Sequence, residues 1–297
     1  MSSATQQPQQ PPRPLELPVV LITGASSGIG LAAARRFATR GFRVYASMRD
    51  PGKGDGLRRE ARDSGWTLAT PRLDVTDDAS VAQAVAALMS ETGGRLDVLI
   101  NNAGYFALGP LEETTPAELR AQLETNVVGV HRMAAAVLPA MRARRQGRIV
   151  FIGSLSGLIA LPILGPYHAS KWAVEALAES LRYEVRRFGI WVTLIEPGPF
   201  KTSLHDNEKL AAAAGRPGSP YAGLLDSYRR QSAGLRRAEL PALIDVVERA
   251  ATARRPRLRW RVGPSRVSAG VLRRIVPDRL YELIIGWAFR DRAARSR

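Results

Sequence analysis

The sequence contains no cysteine, only three histidines and only four lysines. Without cysteine there is no disulfide scaffold, thiolate nucleophile, iron–sulfur cluster or cysteine-ligated zinc. The histidines, His131, His168 and His205, are widely separated in the chain, so a histidine-rich metal site is not expected. No apolar run approaches the ~18 residues of a membrane-spanning helix. Any chemistry must therefore use oxygen and nitrogen groups or a bound cofactor, and we predict no metal site.

Residues 1–18 are rich in glutamine and proline and contain almost nothing apolar, which is typical of a disordered tail. This segment lacks the apolar core of a secretion signal, so we expect a cytoplasmic location. Residues 19–263 show no linker long enough to divide them, and we predict that they form one domain. Residues 264–297 are predicted to form a basic amphipathic extension.

Positive charge is concentrated near the C-terminal end. The formal charge is +16, and residues 254–297 hold thirteen arginines against three acids. Residues 254–261 interleave arginine with apolar residues, which predicts a last strand with arginine on exposed or edge positions. Residues 267–289 form an amphipathic stretch interrupted at Pro277. This stretch could pack on the body or on a second subunit, or contact an anionic lipid surface. Nucleic-acid binding is not expected, since no recognisable motif accompanies the charge.

Short apolar runs alternate with segments of helical spacing from Val19 onward. Such alternation predicts a parallel sheet, because parallel neighbours need a crossover of helix length. The runs are continuously apolar, as expected for strands covered on both faces. The predicted strands are 19–23, 43–48, 67–73, 97–100, 148–153, 191–195 and 258–262. The predicted helices are 29–40, 78–91, 116–145 and 167–188, each followed at once or within two residues by a glycine that marks the helix end.

A glycine-rich loop, residues 23–30, joins the first strand to the first helix, which is the context of a dinucleotide-binding loop. Gly24 permits a sharp turn, Gly28 lets the backbone approach a pyrophosphate, and Gly30 lets the helix pack closely. The helix N-terminus offers unpaired N–H groups and a positive dipole to phosphates. On its own, such a loop is also compatible with a turn that holds no ligand.

Four further motifs follow in order: Asp74, then Asn101-Asn102-Ala103-Gly104, then Ser154 with Tyr167-His168-Ala169-Ser170-Lys171, then Pro197-Gly198 with Thr202. With the loop, they resemble the short-chain dehydrogenase/reductase family over residues 19 to about 204. Residues 44–50, 126–129 and 166–173 are similar to the branch that contains 17-beta-hydroxysteroid and retinol dehydrogenases. The resemblance implies an α/β Rossmann-type fold, a doubly wound parallel sheet in three layers, and hydride transfer with a nicotinamide cofactor.

Tyr167 and Lys171 are four residues apart, so on a helix their side chains share one face. A phenol titrates near ~10, and lowering its pKa to ~7 needs about 4 kcal/mol in favour of the phenolate. The Lys171 ammonium, reinforced by the positive charge of an oxidised nicotinamide, is expected to supply this.

The resemblance assigns roles to four catalytic residues. Tyr167 is the acid/base toward the substrate oxygen, Lys171 lowers its pKa and binds the nicotinamide ribose, and Ser154 polarises the substrate oxygen. Asn126 would hold a water that passes protons to Lys171, although a merely hydrogen-bonded buried asparagine is the alternative. Ser156 is a weaker candidate than Ser154 on its spacing from Tyr167, and His168 is interpreted as a neighbour rather than a base.

The end of the second strand indicates the cofactor. An NAD-binding protein of this kind usually has an Asp there, whereas this chain has Ser47 followed by Arg49, which favours NADP(H). Ser27 could add a hydrogen bond to the 2′-phosphate, and Asp50 keeps NAD(H) as an alternative. The residues expected at the cofactor are Gly24, Ser26, Ser27, Gly28, Ile29, Gly30, Arg49, Asp74, Val75, Asn101, Ala103, Gly104, Tyr167, Lys171, Pro197, Gly198, Phe200 and Thr202.

The regular pattern is lost from about 199 to 238, where the family has a mobile substrate lid. Apolar residues near the catalytic loop indicate a hydrophobic pocket, or simply core: Phe106, Leu108, Leu155, Leu158, Ile159 and Leu161. We therefore expect a hydrophobic ketone or aldehyde and its alcohol as substrate. A biosynthetic step on a carrier-bound or fatty ketone would use the same chemistry. A catalytically silent NADP(H)-binding sensor or scaffold is the alternative function. The helices 116–145 and 167–188 resemble those that pair in relatives, which implies a homodimer or homotetramer.

Overall fold

The computed structural model describes residues 17–201, 208–264, 273 and 275–289. Nine strands lie in this part of the chain, and seven of them form one parallel sheet in the order β3-β2-β1-β4-β6-β7-β9. The strands are β1 (Val19–Ile22), β2 (Arg43–Ala46), β3 (Leu68–Ala69), β4 (Val98–Asn101), β5 (Phe106–Leu108), β6 (Gly147–Ile152), β7 (Ile190–Pro197), β8 (Glu208–Leu210) and β9 (Arg259–Val262).

Helices cover both faces of this sheet and give three layers. The described helices are α1 (Gly28–Thr39), α2 (Asp55–Asp63), α3 (Asp78–Thr92), α4 (Pro116–Leu123), α5 (Gly129–Ala143), α6 (Gly165–Val185), α7 (Ala222–Ala233), α8 (Leu240–Thr252) and α9 (Asp278–Ala288). One core cluster joins the sheet to α3, α5 and α6. The second joins the opposite face to α1, α2 and α8. Burial on both faces explains the continuously apolar strands.

The predicted doubly wound parallel sheet is confirmed. All seven predicted strands are present, and the strand order reverses between β1 and β4, so the loops after these strands separate and leave a crevice. The chain runs from β1 in one direction through β2 and β3, and from β4 in the other through β6, β7 and β9. This topology brings the loops after β1, β4, β6 and β7 to one edge of the sheet.

Several elements differ from the sequence prediction. The helix predicted over 116–145 is divided by a π-helical turn, Glu124–Val128, between α4 and α5. Helices α2 and α8 and the small parallel sheet of β5 and β8 were not predicted. The π turn escapes a periodicity argument because one extra residue per turn leaves the apolar spacing on either side intact.

The segment predicted as an irregular lid is more ordered than expected. Within about 199–238, residues 208–210 form β8 and residues 222–233 form α7. The helix was missed because only Leu225, Ser227 and Tyr228 on it are buried, which is too short an apolar stripe to recognise. Both ends of the segment are held together, since Lys201 N donates to Ala238 O at 2.9 Å and Ala238 N donates to Pro199 O at 3.0 Å.

The basic strand β9 lies at the sheet edge, as predicted, but its arginines are not free surface charges. The Arg259 side chain is 28% exposed and the Arg261 side chain 30%, and both bind carboxylates, described below. The predicted amphipathic extension contains α9, which begins directly after Pro277. Residues 1–16 of the predicted tail lie outside the described residues.

Candidate active site

The glycine-rich loop places an open helix N-terminus at the crevice. Ser27 is the N-cap of α1, yet its side chain makes no capping hydrogen bond, and the first turn contains no acidic residue. The first N–H groups of α1 are therefore available to an anion, and the helix dipole favours one. Gly24 and Gly28 have φ of 65° and 55°, in the left-handed region that favours glycine.

The loop is fixed by a residue that the sequence analysis did not assign a role. Asn102 donates from Nδ2 to the carbonyls of Thr23 at 2.9 Å and Gly24 at 3.0 Å. Thr23 Oγ1 in turn accepts from the backbone N–H groups of Asn102 and Ala103, each at 3.0 Å. A Cβ on Gly30 would lie 2.5 Å from Gly24 O, so the close packing predicted for Gly30 is present. The loop after β4 thus determines the shape of the loop after β1.

The β2 end places one cation at the crevice. Arg49 is exposed, and no hydrogen bond or ion pair of its side chain occurs among the described residues. Asp50 is used locally, because its carboxylate accepts from Gly52 N at 3.0 Å and caps the following turn. Ser47 is buried and donates to Ile22 O at 3.0 Å, so it presents no carboxylate and no free hydroxyl here.

Asp74 lies near Arg49 at the same edge. Burial alone would raise its pKa, but hydrogen bonds from the backbone and side chain of Thr76, together with the charges of Arg49 and Arg72, hold the pKa below its ordinary value. Asp74 is therefore an ionised acceptor. Its neighbour Val75 is buried and backs onto α5, where a Cβ on Gly129 would lie 2.8 Å from Val75 Cγ2.

The structure distributes the remaining expected cofactor residues unevenly. Asn101 is buried and its amide donates to Val130 O at 2.7 Å, so this side chain points into the body of the protein. Gly104 borders Asn126, and Ile29 packs partly into the core. Ser26 and Ser27 are half-buried at the loop, and neither side chain has a hydrogen-bond partner in the described chain.

The loop after β7 carries the last expected group. Pro197 ends β7, and Gly198 N donates to Val262 O at 2.8 Å. A Cβ on Gly198 would lie 2.3 Å from Pro264 O, so the exit of β9 packs directly on this glycine. Phe200 is 4% exposed and belongs to the core beside Gly263, and its contact with a cofactor stays a prediction. Thr202 lies outside the described residues.

Tyr167, Lys171 and Ser154 come together at the carboxyl ends of the strands. Tyr167 and Lys171 lie one turn apart on α6, and Lys171 Nζ is 5.7 Å from the centre of the Tyr167 ring. Lys171 Nζ donates to Ile152 O, at the end of β6, at 2.9 Å. The Ser154 side chain lies close enough to the Tyr167 hydroxyl to lower its pKa. The structure thus brings these three side chains into one cluster, and their catalytic roles stay a prediction.

In the protein alone, burial has the largest effect on the pKa of Tyr167. The expected lowering of this pKa by Lys171 together with an oxidised nicotinamide stays a prediction. Burial raises the pKa of Tyr167 to about 12, and the Ser154 side chain opposes this only in part. Burial also lowers the pKa of Lys171 to about 8, against the charge of Glu175, which raises it. Both groups are thus pushed toward their neutral forms, and a further positive charge is required to favour the phenolate.

Asn126 lies in the π turn and is 2% exposed. Its Oδ1 accepts from Tyr105 N at 3.1 Å, and its Nδ2 donates to Tyr105 O at 3.0 Å and to Ser170 Oγ at 3.1 Å. Ser170 Oγ donates to Tyr167 O at 2.7 Å. The side-chain amide is therefore fully used in joining the loop after β4 to the catalytic turn of α6. Its role in holding a water stays a prediction.

The two residues considered as competitors support the catalytic loop. Ser156 N donates to Ser154 Oγ at 3.1 Å, so Ser156 positions the Ser154 side chain through its backbone. His168 Nδ1 is 2.8 Å from Ser156 O. Burial lowers the pKa of His168, and the contact with the Ser156 carbonyl opposes this. His168 is thus a buried neighbour of the loop.

A group of buried carboxylates behind Lys171 was missed. Glu175 follows Lys171 by one turn and is 8% exposed, and Glu196, at the end of β7, is fully buried. Arg259 Nε donates to Glu175 Oε2 at 2.9 Å, and Arg261 Nε donates to Glu196 Oε2 at 2.6 Å. Arg259 also binds Glu179 at 2.6 Å. Two signals could have found the group: the four-residue spacing from Lys171 and a lone acid within an apolar strand.

Glu175 also touches the catalytic loop. A Cβ on Gly157 would lie 2.9 Å from Glu175 Cγ and 3.0 Å from Lys171 O, so no larger residue fits between them. Burial raises the pKa of Glu175, Arg259 opposes this, and the neighbouring Glu196 carboxylate raises it further. Glu175 is therefore a buried acid that acts on Lys171 through its charge.

A small apolar cluster surrounds Tyr167. We call it the Tyr167 cluster; its buried members are Phe106, Leu108, Ile163, Leu164, Tyr167, Leu225, Tyr228 and Phe289. The Phe106 and Tyr167 rings meet edge to face at 4.5 Å. Of the residues expected to form a hydrophobic pocket, Phe106, Leu108 and the half-buried Leu161 join this cluster. Leu225 and Tyr228 come from α7, so the lid packs directly on Tyr167.

Two general properties of the described residues complete the site. They contain no group of three His, Asp or Glu side chains placed to hold a metal ion. No helix among them combines the length and the apolar character needed to cross a bilayer.

The family model for short chain dehydrogenases matches residues 18–212. The chain therefore belongs to the short-chain dehydrogenase/reductase family, and it is an oxidoreductase of the kind that acts on CH–OH groups.

Individual relatives place the chain more closely. It is 42% identical over 198 residues to 3-ketodihydrosphingosine reductase of Bacteroides thetaiotaomicron, which covers 67% of this chain and 70% of that protein. It is 46% identical over 191 residues to human 17-beta-hydroxysteroid dehydrogenase type 1, covering 62% of this chain and 57% of that protein. The expected branch of the family is thereby confirmed.

A solved structure shows the same architecture. A gluconate 5-dehydrogenase from Burkholderia cenocepacia, solved in complex with NADP and tartrate, aligns with a TM-score of 0.69 at 28% identity. The alignment covers 84% of this chain and 95% of that one.

We predict that Glu175→Gln lowers the pKa of Lys171 below about 8. The carboxylate charge stabilises the ammonium. In its absence Lys171 loses its proton at a lower pH than in wild type. The chain has only four lysines, so NMR titration of isotope-labelled lysine side chains can follow Lys171 directly. Glu179→Gln is the matched control, because it removes another Arg259 partner without altering the charge next to Lys171. An unchanged or raised Lys171 pKa in Glu175→Gln would contradict the assignment.

Proposed function

We propose that this chain is an NADP(H)-dependent oxidoreductase that interconverts a hydrophobic ketone or aldehyde and its alcohol. The observation that carries the proposal is the cluster of Ser154, Tyr167 and Lys171 at the carboxyl edge of the sheet, beside an open helix N-terminus. Hydride transfer is the chemistry that a bound nicotinamide cofactor supplies at such a site.

The chain's own residues would bind and orient the substrate and exchange a proton with its oxygen. Ser154 donates a hydrogen bond to the substrate oxygen, and the Tyr167 hydroxyl exchanges a proton with the same oxygen. The Ile152 carbonyl and Glu175 hold Lys171, whose ammonium favours the phenolate form of Tyr167. The Tyr167 cluster excludes water from this oxygen, which strengthens each of these interactions.

The pyrophosphate of a dinucleotide fits the start of α1, where the N–H groups are uncapped and no acid opposes an anion. Asp74 offers an ionised acceptor to the adenine side. Two observations favour a 2′-phosphate over a free ribose hydroxyl. The Arg49 side chain has no hydrogen bond or ion pair in the described chain, and the Asp50 carboxylate already caps Gly52. The NADP bound by the gluconate 5-dehydrogenase supports the same choice.

The substrate class follows from the surroundings of Tyr167. The cluster that lines the approach to its hydroxyl is aromatic and aliphatic, and Tyr228 is the only hydroxyl in it besides Tyr167 itself among the described residues. Burial raises the pKa of Tyr228 to about 12, so it remains a neutral hydrogen-bonding group. A bulky apolar substrate with few polar groups fits such walls, and the names of the sphingosine-type and steroid-type relatives agree with this.

We also propose that the enzyme forms a homodimer, with a homotetramer as the higher form, through α5 and α6. Trp172 and Tyr183 are 47% and 69% exposed, and their eleven-residue separation puts them on one face of α6. Val128, between α4 and α5, is 40% exposed. Sedimentation equilibrium is expected to give at least a dimer at micromolar concentration, and a monomer would contradict this proposal.

For the location, we propose the cytoplasm, with a peripheral membrane contact through the C-terminal segment. The sequence has no cysteine, so no disulfide has to form and the protein needs no oxidising compartment. Cell fractionation tests the location, and recovery outside the cytosol and its membrane surfaces would contradict it.

We expect Tyr167→Phe to lose turnover by about 10²–10⁴-fold while still binding NADPH, because only the proton-carrying hydroxyl is removed. The assay is NADPH consumption over a panel of hydrophobic ketones and aldehydes, with NADPH binding followed by fluorescence. Tyr183→Phe is the control, since it removes an exposed hydroxyl from the same helix. Retained turnover in Tyr167→Phe would refute the mechanism, and a wild type that binds NADPH without turning over any ketone would favour the sensor or scaffold alternative.

Arg49→Ala should reduce the ratio of NADP to NAD specificity, measured as kcat/KM, by about tenfold or more, since a charge-assisted contact to the 2′-phosphate is lost. Arg59→Ala removes an exposed arginine from the neighbouring helix and controls for the general loss of positive charge. If the ratio is the same in Arg49→Ala and wild type, Arg49 does not bind the phosphate.

A further inference from the structure

Helix α9 is apolar over two adjoining faces, and exposed Arg279, Glu282 and Gly286 lie on the remaining side. Tyr281, Ile285, Ala288 and the following Phe289 recur at helical spacing and are half-buried or buried. On the adjoining face, Leu280, Leu283, Ile284 and Trp287 recur at the same spacing and are exposed. A helix with so wide an apolar surface normally has all of that surface covered, so the outer face lacks a cover in the described chain.

The inner face of α9 closes the substrate side of the active site. Phe289 is a buried member of the Tyr167 cluster, and Ile285 and Ala288 pack against it. The end of α9 is attached to the lid, because Gln231 Nε2 of α7 donates to Ala288 O at 2.9 Å. Both α7 and α9 therefore lie between solvent and Tyr167, and a substrate that enters on this side must pass beside them.

The outer face is a strongly apolar surface. Trp287 is 71% exposed, Leu283 70% and Leu280 50%, and Ile275, just before Pro277, is 74% exposed. Burying such side chains favours association, and tryptophan is suited to a boundary that is apolar on one side and wet on the other. Contiguous exposed apolar surface of this kind marks an interaction site.

Two occupants of this face can be compared by their charge: a second copy of the chain and an anionic lipid bilayer. Residues 264–297, which include α9, hold eight arginines against three acids. A second copy of the chain would bring the same surplus of positive charge to the contact, which opposes pairing. An anionic bilayer brings the opposite charge and an apolar interior, and each Arg near its surface adds attraction.

We propose that the outer face of α9 docks on an anionic lipid bilayer, and that the hydrophobic substrate passes from the bilayer to Tyr167 beneath α9 and α7. This inference rests on the proposed oxidoreductase function and adds the source of its substrate. The substrate is then an alcohol or ketone that dissolves in lipid rather than in water.

The test uses the full chain with vesicles of phosphatidylserine and phosphatidylcholine, and with vesicles of phosphatidylcholine alone. Wild type is expected to float with the anionic vesicles at low salt and much less with neutral vesicles or at high salt. Leu283→Ser combined with Trp287→Ser should lower this partition by about tenfold or more. Leu111→Ser is the matched control, because Leu111 is a leucine outside α9 that is 68% exposed, and its partition should equal that of wild type.

Turnover separates this inference from the proposed function. With a water-soluble ketone and no vesicles, the Leu283→Ser/Trp287→Ser variant should keep the kcat and KM of wild type. With a ketone dissolved in anionic vesicles, its apparent KM should rise at unchanged kcat. Absence of turnover in wild type under both conditions would instead count against the oxidoreductase function.

Three results would overturn the docking proposal. Wild type that does not float with anionic vesicles, or a double variant that floats as well as wild type, shows that the face is not a lipid contact. A double variant that sediments as a smaller species while still floating shows that a second copy covers the face.

Discussion

The half-buried Lys171 ammonium is the constraint on which the rest of the site depends. An ammonium taken out of water loses hydration, and here burial lowers its pKa to about 8. The protein compensates with two acceptors of different kinds, the Ile152 carbonyl at the end of β6 and the charge of Glu175 one turn along α6. These fix the position of α6 relative to β6, and with it the position of Tyr167 relative to Ser154, because Ser154 follows β6 directly.

A second layer of charge keeps Glu175 in place. Arg259 joins Glu175 and Glu179 of α6, and it lies 3.4 Å from Glu196 of β7. Burying several carboxylates together is unfavourable unless cations contact them. This accounts for the arginines of the edge strand β9, whose side chains turn inward. Strand β9 and its exit also pack against Gly198, so the segment that carries Arg259 positions both the loop after β7 and the catalytic turn of α6.

What could be predicted from the sequence was local. A strand covered on both faces must be apolar throughout, and a helix must end where glycine adopts a left-handed conformation, so the sheet and its main helices follow from neighbouring residues alone. The pairing of Tyr167 with Lys171 follows from helical spacing, and the position of Ser154 follows from its place after a strand.

Asn102, Glu175 and Glu196 escaped because their roles depend on partners far along the chain, such as Arg259, which is 84 residues from Glu175. The burial of Tyr167, which has the largest effect on its pKa in the protein alone, escaped too, because spacing gives proximity but not burial.

The same network changes the meaning of the basic C-terminal end. If the arginine surplus were one uniform surface charge, it would act on any acidic partner of the protein. Arg259 and Arg261 are instead bound to buried acids, so their charge is neutralised inside the fold and contributes little to the electrostatic field outside the protein.

The surplus of positive charge that remains for a partner belongs mainly to residues 264–297, the segment in which α9 exposes Leu283 and Trp287. Charge and apolar surface therefore coincide in sequence just where the chain also covers Tyr167. A partner that satisfies both must be anionic at its surface and apolar beneath, and among common cellular surfaces a lipid bilayer has that structure.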